Sequence, residues 1–247
     1  AGVRIEHPLA LDRNSLVFVT PNFQGPDSPG VYNDYPICVW FTGSQWVILN
    51  LKQDMMVTMP FRAAFNVQIL KPDPSANVFI HTSTSSDPSQ YWTAIDIKKY
   101  PLASERDAMV FATFNLSASV GRGQYNNHPI GVWYTGTGWA IFNRDLRPMP
   151  EGTAFNVQIL KPDPSANVFV HTAPSNIQGI NWTTIDARNS NMLAFAMPRT
   201  SAGSTPVKND LNIGVWHNGT QWTIFNEDRT APMHEGAEFN ILILERR

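Results

Sequence analysis

The chain has 247 residues, of which 43% are hydrophobic, 11% aromatic and only 15% charged. This composition supplies enough apolar side chains for a core and excludes a disordered or coiled-coil protein. The formal net charge is −2, without any run of Lys or Arg that could neutralise phosphates, so nucleic acid is excluded as a partner. No apolar stretch approaches the roughly 18 residues of a membrane span.

The chain opens with "AGVRIEHPLA", which has neither a starting Met nor the charged and apolar regions of a signal peptide. This start is typical of a mature chain after signal removal or of a trimmed chain, and both interpretations stay open. The single cysteine, Cys38, excludes an intrachain disulfide and a thiolate metal cluster. We expect it to be a small buried thiol rather than a nucleophile, since no base is suggested nearby.

Three copies of one motif follow each other along the chain. "YPICVWFTGSQWVILNLKQD" (35–54), "HPIGVWYTGTGWAIFNRD" (128–145) and "LNIGVWHNGTQWTIFNED" (211–228) each lead to a strand-like run, "AFNVQIL" twice and then "EFNILIL". "KPDPSANVF" continues the first two runs without change, so sixteen letters recur at 64–79 and 154–169. Short runs rich in Val, Ile, Phe and Trp, bounded by Gly, Pro, Asn and Asp, predict an all-β protein.

The repeats predict three homologous antiparallel β units of about 80 residues with about six short strands each: 1–70, 71–160 and 161–247. The proline-rich joints at 71–77 and 161–167 mark the seams, because two prolines in four residues do not fit inside a sheet. Units of this size bury too little surface to stand alone, so we expect them to pack together in a pseudo-threefold arrangement or a compact tandem array.

The first unit lacks the strand that reads "VFIHT" in the second and "VFVHT" in the third. Its sheet should therefore have an open edge. We expect a neighbouring unit or another chain to fill that edge. In the second case the protein would be a homo-oligomer through the open edge of unit 1.

The third hairpin predicts which tryptophans enter the core. Asn218-Gly219 suits a two-residue type I′ turn, which would place His217 opposite Thr220 and Val215 opposite Trp222. The face that carries Val215 and Trp222 is then the core face, and the equivalent core residues are Trp46, Trp139 and Trp222. The opposite face carries Trp40, Trp133 and Trp216, which form either a second core layer or a stacking platform for a ligand.

Polar residues follow the second strand of each hairpin. They are Asn143 with Asp145, Asn226 with Asp228, and a more widely spaced pair, Asn50 with Asp54. The favoured interpretation is a local turn in which these side chains satisfy backbone N–H groups. A polar binding site is the alternative, and a cation site comes last because hard ions need six or more oxygens.

Two histidines and two further tryptophans occur only in the second and third repeats. His81 and His171 end a strand, and we expect structural hydrogen bonds there rather than ligand or base roles, because no paired-His spacing occurs. Trp92 and Trp182 follow variable Ser/Asn-rich loops. A solvent-reachable indole beside such a loop is the first place to expect a ligand.

The signature "HPIGVWY…W.IFN.D…MP.G.AFNV" with a preceding "HT…N.T.ID.P" resembles a family of uncharacterised repeat domains of exported bacterial proteins. The match covers essentially the whole chain and is best over 121–161. The resemblance implies a secreted or cell-surface β-repeat module with no established catalytic residues. Leu211-Asn212 departs from Tyr35-Pro36 and His128-Pro129, and Arg62 replaces a turn glycine, so a site at these positions should differ among the copies.

The sequence shows no Ser-His-Asp elbow, phosphate loop, metal spacing or cofactor motif. Binding sites are often repeated, whereas active sites seldom are, so we predict a non-enzymatic multivalent binding module, with carbohydrate as the favoured ligand. The alternative is a structural or adhesive repeat of a toxin or surface assembly. An enzyme comes third, and the unit-specific acids Glu105 and Asp107 are its only hints.

Overall fold

The computed structural model describes residues 2–23, 30–52, 55–84, 90–119, 125–175, 180–187, 190–201 and 210–246. The prediction of an all-β protein is confirmed. The strands are β1 Val3–Arg4, β2 Leu16–Asn22, β3 Ile37–Phe41, β4 Trp46–Lys52, β5 Met55–Val57, β6 Ala64–Leu70, β7 Val78–Thr82, β8 Trp92–Ala94, β9 Met109–Phe114, β10 Ile130–Tyr134, β11 Trp139–Asn143, β12 Ala154–Leu160, β13 Val168–Thr172, β14 Trp182–Thr184, β15 Met192–Thr200, β16 Ile213–His217, β17 Trp222–Asn226 and β18 Glu238–Glu245.

The helical content of the described chain consists of short 3-10 turns. These turns are Pro8–Leu11, Pro74–Ala76, Pro101–Ser104 and Pro164–Ala166. A proline occupies the first position of each, where its missing N–H has no partner to lose. Within the described ranges, no helix is long and apolar enough to cross a membrane.

The strands form four sheets, and the sheets do not coincide with the three repeats. One sheet, β1-β4-β3 with β5 beside β4, comes from the first repeat alone, and β7-β12-β9 comes from the second alone. The other two, β13-β18-β15-β10-β11-β8 and β14-β17-β16-β2-β6, each combine strands from two repeats. The expectation of three packed units is therefore corrected: sheet hydrogen bonding crosses the repeat boundaries, so the chain divides into four sheets.

Three equivalent parallel pairings join the repeats in a closed cycle. Val39 of the first repeat bridges Asn115 of the second. Val132 of the second pairs with Arg199 of the third. Val215 of the third pairs with Asn22 of the first, which returns the chain of contacts to its start.

Buried amides strengthen each of these junctions. The strand that reads "AFNVQIL" in two repeats and "EFNILIL" in the third carries one asparagine in each copy. These interrepeat asparagines are Asn66, Asn156 and Asn240, and all are buried. Each donates from Nδ2 to a backbone carbonyl of another repeat: Asn66 to Ala194 (2.8 Å), Asn156 to Val17 (2.9 Å) and Asn240 to Val110 (2.8 Å). Each Oδ1 accepts from a side chain of its own repeat, namely from Asn22 Nδ2 (3.0 Å), Asn115 Nδ2 (2.7 Å) and Arg199 Nη1 (3.0 Å).

These contacts give the identical strand sequence a physical reason. A buried amide must satisfy both its donor and its acceptor, and here the two ends reach different repeats. Replacing the asparagine would leave a carbonyl of another repeat without this partner, so the residue is retained in every copy.

The third hairpin has a longer loop than predicted. His217 pairs with Trp222 and Val215 with Ile224, so four residues form the loop instead of two. Gly219 alone has positive φ there (100°), and Asn218 Oδ1 accepts the Thr220 N–H (3.0 Å). A shift of two residues leaves each side chain on its predicted face, and Trp46, Trp139 and Trp222 are buried as expected.

The joints at 71–77 and 161–167 are tight turns rather than loose linkers. Asp73 Oδ1 accepts from the N–H groups of Ser75 (3.0 Å) and Ala76 (3.2 Å). Asn77 is left-handed with φ 58°, and Asn167 repeats this conformation with φ 59°. Capping by the side chain and the left-handed conformation explain why the aspartate and the asparagine recur at the same places in both joints.

The last strand of the first repeat has a free edge among the described residues. β12 lies between β9 and β7, and β18 lies between β15 and β13. β6, which has the same seven letters as β12, pairs with β2 alone within the described part of the chain. What fills this edge stays a prediction.

Candidate functional site

A cavity of about 90 Å³ lies where the three repeats meet, and we call it the interrepeat cavity. Its lining is drawn from equivalent positions of every repeat: Val19, Thr20 and Pro21 with Ala112, Thr113 and Phe114 and with Ala196, Met197 and Pro198; and Tyr35, Pro36 and Ile37 with His128, Pro129 and Ile130 and with Leu211, Asn212 and Ile213. Arg144 completes the lining. The uneven dipeptides noted in the sequence thus meet in one place and make the cavity asymmetric.

Arg144 is the charged group of this cavity. Its side chain is 8% exposed, and Nη1 donates to the carbonyl of Leu211 at 2.9 Å. Burial lowers the pKa of Arg144 to about 9, while Asp210 acts at longer range to raise it. The guanidinium therefore stays protonated at neutral pH.

The position of Arg144 carries a different residue in each repeat. The backbone N–H of Leu51 donates to Pro36, that of Arg144 to Pro129 and that of Glu227 to Asn212. Burial raises the pKa of Glu227 to about 7; the Asn33 N–H, bound at 2.8 Å, opposes this and Asp34 adds to it. One structural position thus holds an apolar, a cationic and an acidic side chain.

The second repeat has a pair of half-buried tryptophans on the face opposite the core face. Trp92 and Trp133 meet edge to face, with ring centroids 5.8 Å apart and an interplanar angle of 86°. Trp92 lies opposite Phe142 in the strand pairing. A tilted indole pair that is partly open to solvent offers both a ring face and a ring edge to a ligand.

The other two repeats vary this aromatic face. In the third, Trp182 lies opposite Phe225, and Trp216 packs against Phe23 with centroids 5.9 Å apart. In the first, Trp40 is 37% exposed. Val3 pairs with Ile48 in the first repeat, just as Thr93 pairs with Ile141 in the second. Gly2, which precedes Val3, therefore occupies the place of the second tryptophan of the other repeats. The three aromatic faces are therefore related but unequal.

The asparagine near the end of the second strand of each hairpin is buried and is hydrogen-bonded to a neighbouring loop. Asn143 Nδ2 donates to the carbonyls of Arg147 (3.0 Å) and Pro148 (3.2 Å). Asn226 Nδ2 does the same with Ala231 (3.2 Å) and Pro232 (3.0 Å). Asn50 exchanges two hydrogen bonds with the amide of Asn33, at 2.9 and 2.6 Å. In this conformation a ligand could not reach these amides without opening the loops.

The aspartates two residues later form local turns. Asp145 Oδ1 accepts the Arg147 N–H at 3.2 Å, and Asp228 Oδ1 accepts the Thr230 N–H at 2.8 Å. The local-turn interpretation is thus confirmed for both. Asp145 Oδ2 also lies 2.7 Å from Nδ1 of His128, which lines the interrepeat cavity. Asp54 lies outside the described residues.

The two strand-end histidines make matching structural contacts. His81 Nε2 lies 2.9 Å from Thr93 Oγ1, and His171 Nε2 lies 2.9 Å from Thr183 Oγ1. Burial lowers the pKa of His81 to about 4 and also lowers the pKa of His171. Both therefore tie two strands together as neutral rings, as expected. Among the described residues, no three His, Cys, Asp or Glu side chains come together as metal ligands.

Sequence reasoning missed Arg144 and the interrepeat cavity. The available signal was the aligned triplet Leu51, Arg144 and Glu227, because a position that changes so strongly among related copies has no common packing role. It also missed the role of the interrepeat asparagines, although their identity in all three copies was visible.

The comparisons with known proteins identify a family without assigning an activity. The family model described as "Domain of unknown function (DUF7452)" matches three times, over residues 2–69, 51–159 and 158–243. Neither a curated protein nor a solved structure matches the chain significantly. Because these matches cover nearly the whole chain, the protein belongs to the DUF7452 family and carries three matches to its domain.

Proposed function

We propose that the protein is a non-enzymatic, multivalent carbohydrate-binding module. The observation that carries this proposal is a half-buried or exposed indole at one equivalent place in every repeat: Trp40, Trp133 and Trp216. In two repeats a second indole, Trp92 or Trp182, lies on the same face. Sugar C–H faces stack on such rings, while the near-neutral charge suits a neutral ligand.

The cyclic arrangement supports multivalency. Equivalent strand pairings join each repeat to the next and the third to the first, and this supports a pseudo-threefold relation among the three aromatic faces. Once one face has bound a repeating glycan, the others bind intramolecularly, and avidity can exceed a single affinity by about 10²–10⁴. The resemblance to repeats of exported proteins supports action outside the cytoplasm, where such glycans are met.

A glycan array on the intact protein tests this proposal, followed by titration with any sugar found. We expect Trp92→Ala and Trp182→Ala each to weaken binding about tenfold, equivalent to ~1.4 kcal/mol. Phe61→Ala is the matched control, since Phe61 is 84% exposed on a turn and belongs to none of these faces. Absence of binding on the array together with absence of cell agglutination would overturn the proposal.

The free edge of β6 favours a second candidate function, assembly by strand addition. β12 has the same sequence and accepts β7 as an antiparallel strand, and β18 accepts β13. In this chain the "VF(I/V)HT" strand is thus the natural partner of this edge, and β-strand addition is a common mode of association. The protein would then join a structural or adhesive assembly.

A peptide of residues 164–172 tests strand addition. We expect saturable binding, and we expect Ile69→Pro to abolish it while preserving the fold. The equivalent Ile159 donates its N–H to Asn77, on the side of β7, so proline at 69 removes a donor from the free edge and leaves the β2 ladder intact. Undiminished peptide binding by folded Ile69→Pro would argue against this candidate.

A further inference from the structure

We propose that the interrepeat cavity binds a small organic carboxylate, with the Arg144 guanidinium receiving the two carboxylate oxygens. This site is distinct in chemistry from the aromatic faces, because its ligand is charged and fits between the repeats.

The charge of the lining selects an anion. Of the nineteen residues that line the cavity, Arg144 and His128 are the basic ones, and no described lining residue is acidic. Asp145 contacts His128 at 2.7 Å without lining the cavity. Asp210 acts on Arg144 only at longer range, and no described carboxylate lies within ion-pair distance of its guanidinium.

The Arg144 guanidinium has N–H donors that the described residues do not use. A guanidinium has five N–H groups, and the hydrogen bond seen here, within the described residues, is the one to Leu211. A charged group that is more than nine-tenths buried normally has a paired anion, because removing it from water is costly. A carboxylate can accept two parallel hydrogen bonds from the guanidinium and supply that charge.

The fold itself does not require an arginine here. Leu51 occupies the equivalent position in the first repeat and is buried with the same backbone hydrogen bond. The cation is thus a feature of one repeat, placed at the cavity that residues of all three repeats line. A role in ligand binding explains this placement, whereas a packing role is filled equally well by leucine.

The size and polarity of the cavity select a small organic acid over a phosphate or sulfate. A volume of about 90 Å³ accommodates about six water-sized groups. Most of the lining is aliphatic or proline, including Ile37, Ile130 and Ile213, which suits a short hydrocarbon tail. Thr113 Oγ1 accepts the Val19 N–H at 3.2 Å, so its hydroxyl proton remains available to a carboxylate oxygen. A tetrahedral dianion has acceptor oxygens pointing in all directions, and some of them would face this largely apolar lining without a donor.

Calorimetric titration with sodium isobutyrate, at an ionic strength held constant with sodium chloride, tests the proposal. We expect saturable binding by the wild type, a loss of at least tenfold in affinity in Arg144→Leu, and wild-type affinity in Arg147→Leu. Arg147 is the matched control because it is exposed and lies three residues away. Arg144→Leu is expected to fold, since Leu51 shows leucine at the equivalent site; circular dichroism checks this.

Arg144→Lys gives an independent test should the leucine variant be misfolded. It keeps the charge but loses the planar fork, so we expect at least a tenfold loss of affinity. Wild-type affinity in either folded variant would overturn the assignment of Arg144. Absence of saturable isobutyrate binding would overturn the site, and tighter binding of sulfate or phosphate than of isobutyrate would overturn the carboxylate class.

Discussion

Replacement of Asn156 by leucine tests whether buried amides hold the repeats together. Asn156 is fully buried, donates from Nδ2 to Val17 in the first repeat and accepts from Asn115. Leucine has nearly the same size but would leave both partners unsatisfied. Each orphaned group costs about 1–3 kcal/mol, and the added apolar surface returns about 1.5 kcal/mol. Taking about 2 kcal/mol for each of the two groups, we expect the free energy of unfolding to fall by about 2.5 kcal/mol.

Equilibrium urea unfolding followed by tryptophan fluorescence measures this change. With an m value of about 3 kcal/mol/M, the midpoint should fall by about 0.8 M. Gln158→Leu is the matched control on the same strand. Gln158 is 7% exposed, its Oε1 has no hydrogen-bond partner, and the third repeat has Leu242 at this position, so that change should be neutral or stabilising. A loss below about 1 kcal/mol in Asn156→Leu, or equal losses in both variants, would refute the reasoning.

Three further predictions concern buried groups. The pKa of Glu227 is raised to about 7, so this group stabilises the protein below pH 4.5 and loses its contribution as the pH rises through 7. The pKa of His81 is lowered to about 4, so this group stabilises the protein above pH 6.5 and loses its contribution as the pH falls through 4. Each effect amounts to about 3 kcal/mol. Relative to the wild type, Glu227→Gln should therefore lose stability to urea on acidification from pH 7 to 4.5, whereas His81→Gln should gain it; parallel profiles for the two variants would contradict this. Cys38 is buried and its pKa is raised by burial, so a thiol reagent should label it only in denaturant, and labelling of the native protein at the denatured rate would contradict the packing. In Gly214→Ala the new Cβ would lie 2.5 Å from Phe225 Cζ, so we expect the free energy of unfolding to fall by about 1–3 kcal/mol, and an unchanged urea midpoint would show that the ring moves freely.

The sequence was informative wherever the cause of a structure is local. Strand character followed from short β-branched and aromatic runs, and the core tryptophans followed from alternation, which survives an even shift of register in the third hairpin. Arg62 was noted as a replacement for a turn glycine, and it indeed has φ 66°, close to the 76° of Gly236. Local rules of this kind need no knowledge of the neighbouring repeat.

Features that depend on contacts between repeats were not predictable. The four-sheet division arises because β10 and β16 pair with strands of other repeats, and nothing within one repeat encodes that choice. The partners of Asn156 lie in two repeats, 41 and 139 residues away along the chain. The sequence did not single out Arg144, because its role depends on residues of all three repeats that line the same cavity.

The return of β16 to β2 limits how this protein can be enlarged or shortened. In an open solenoid a unit can be inserted or deleted and the neighbours simply stack again. Here the deletion of a unit would leave two strand edges without their hydrogen-bonding partners. An insertion would have to widen the closed cycle of pairings and break the packing among the repeats. Gain or loss of a single unit should therefore be far less tolerated than exchange of one complete unit for another.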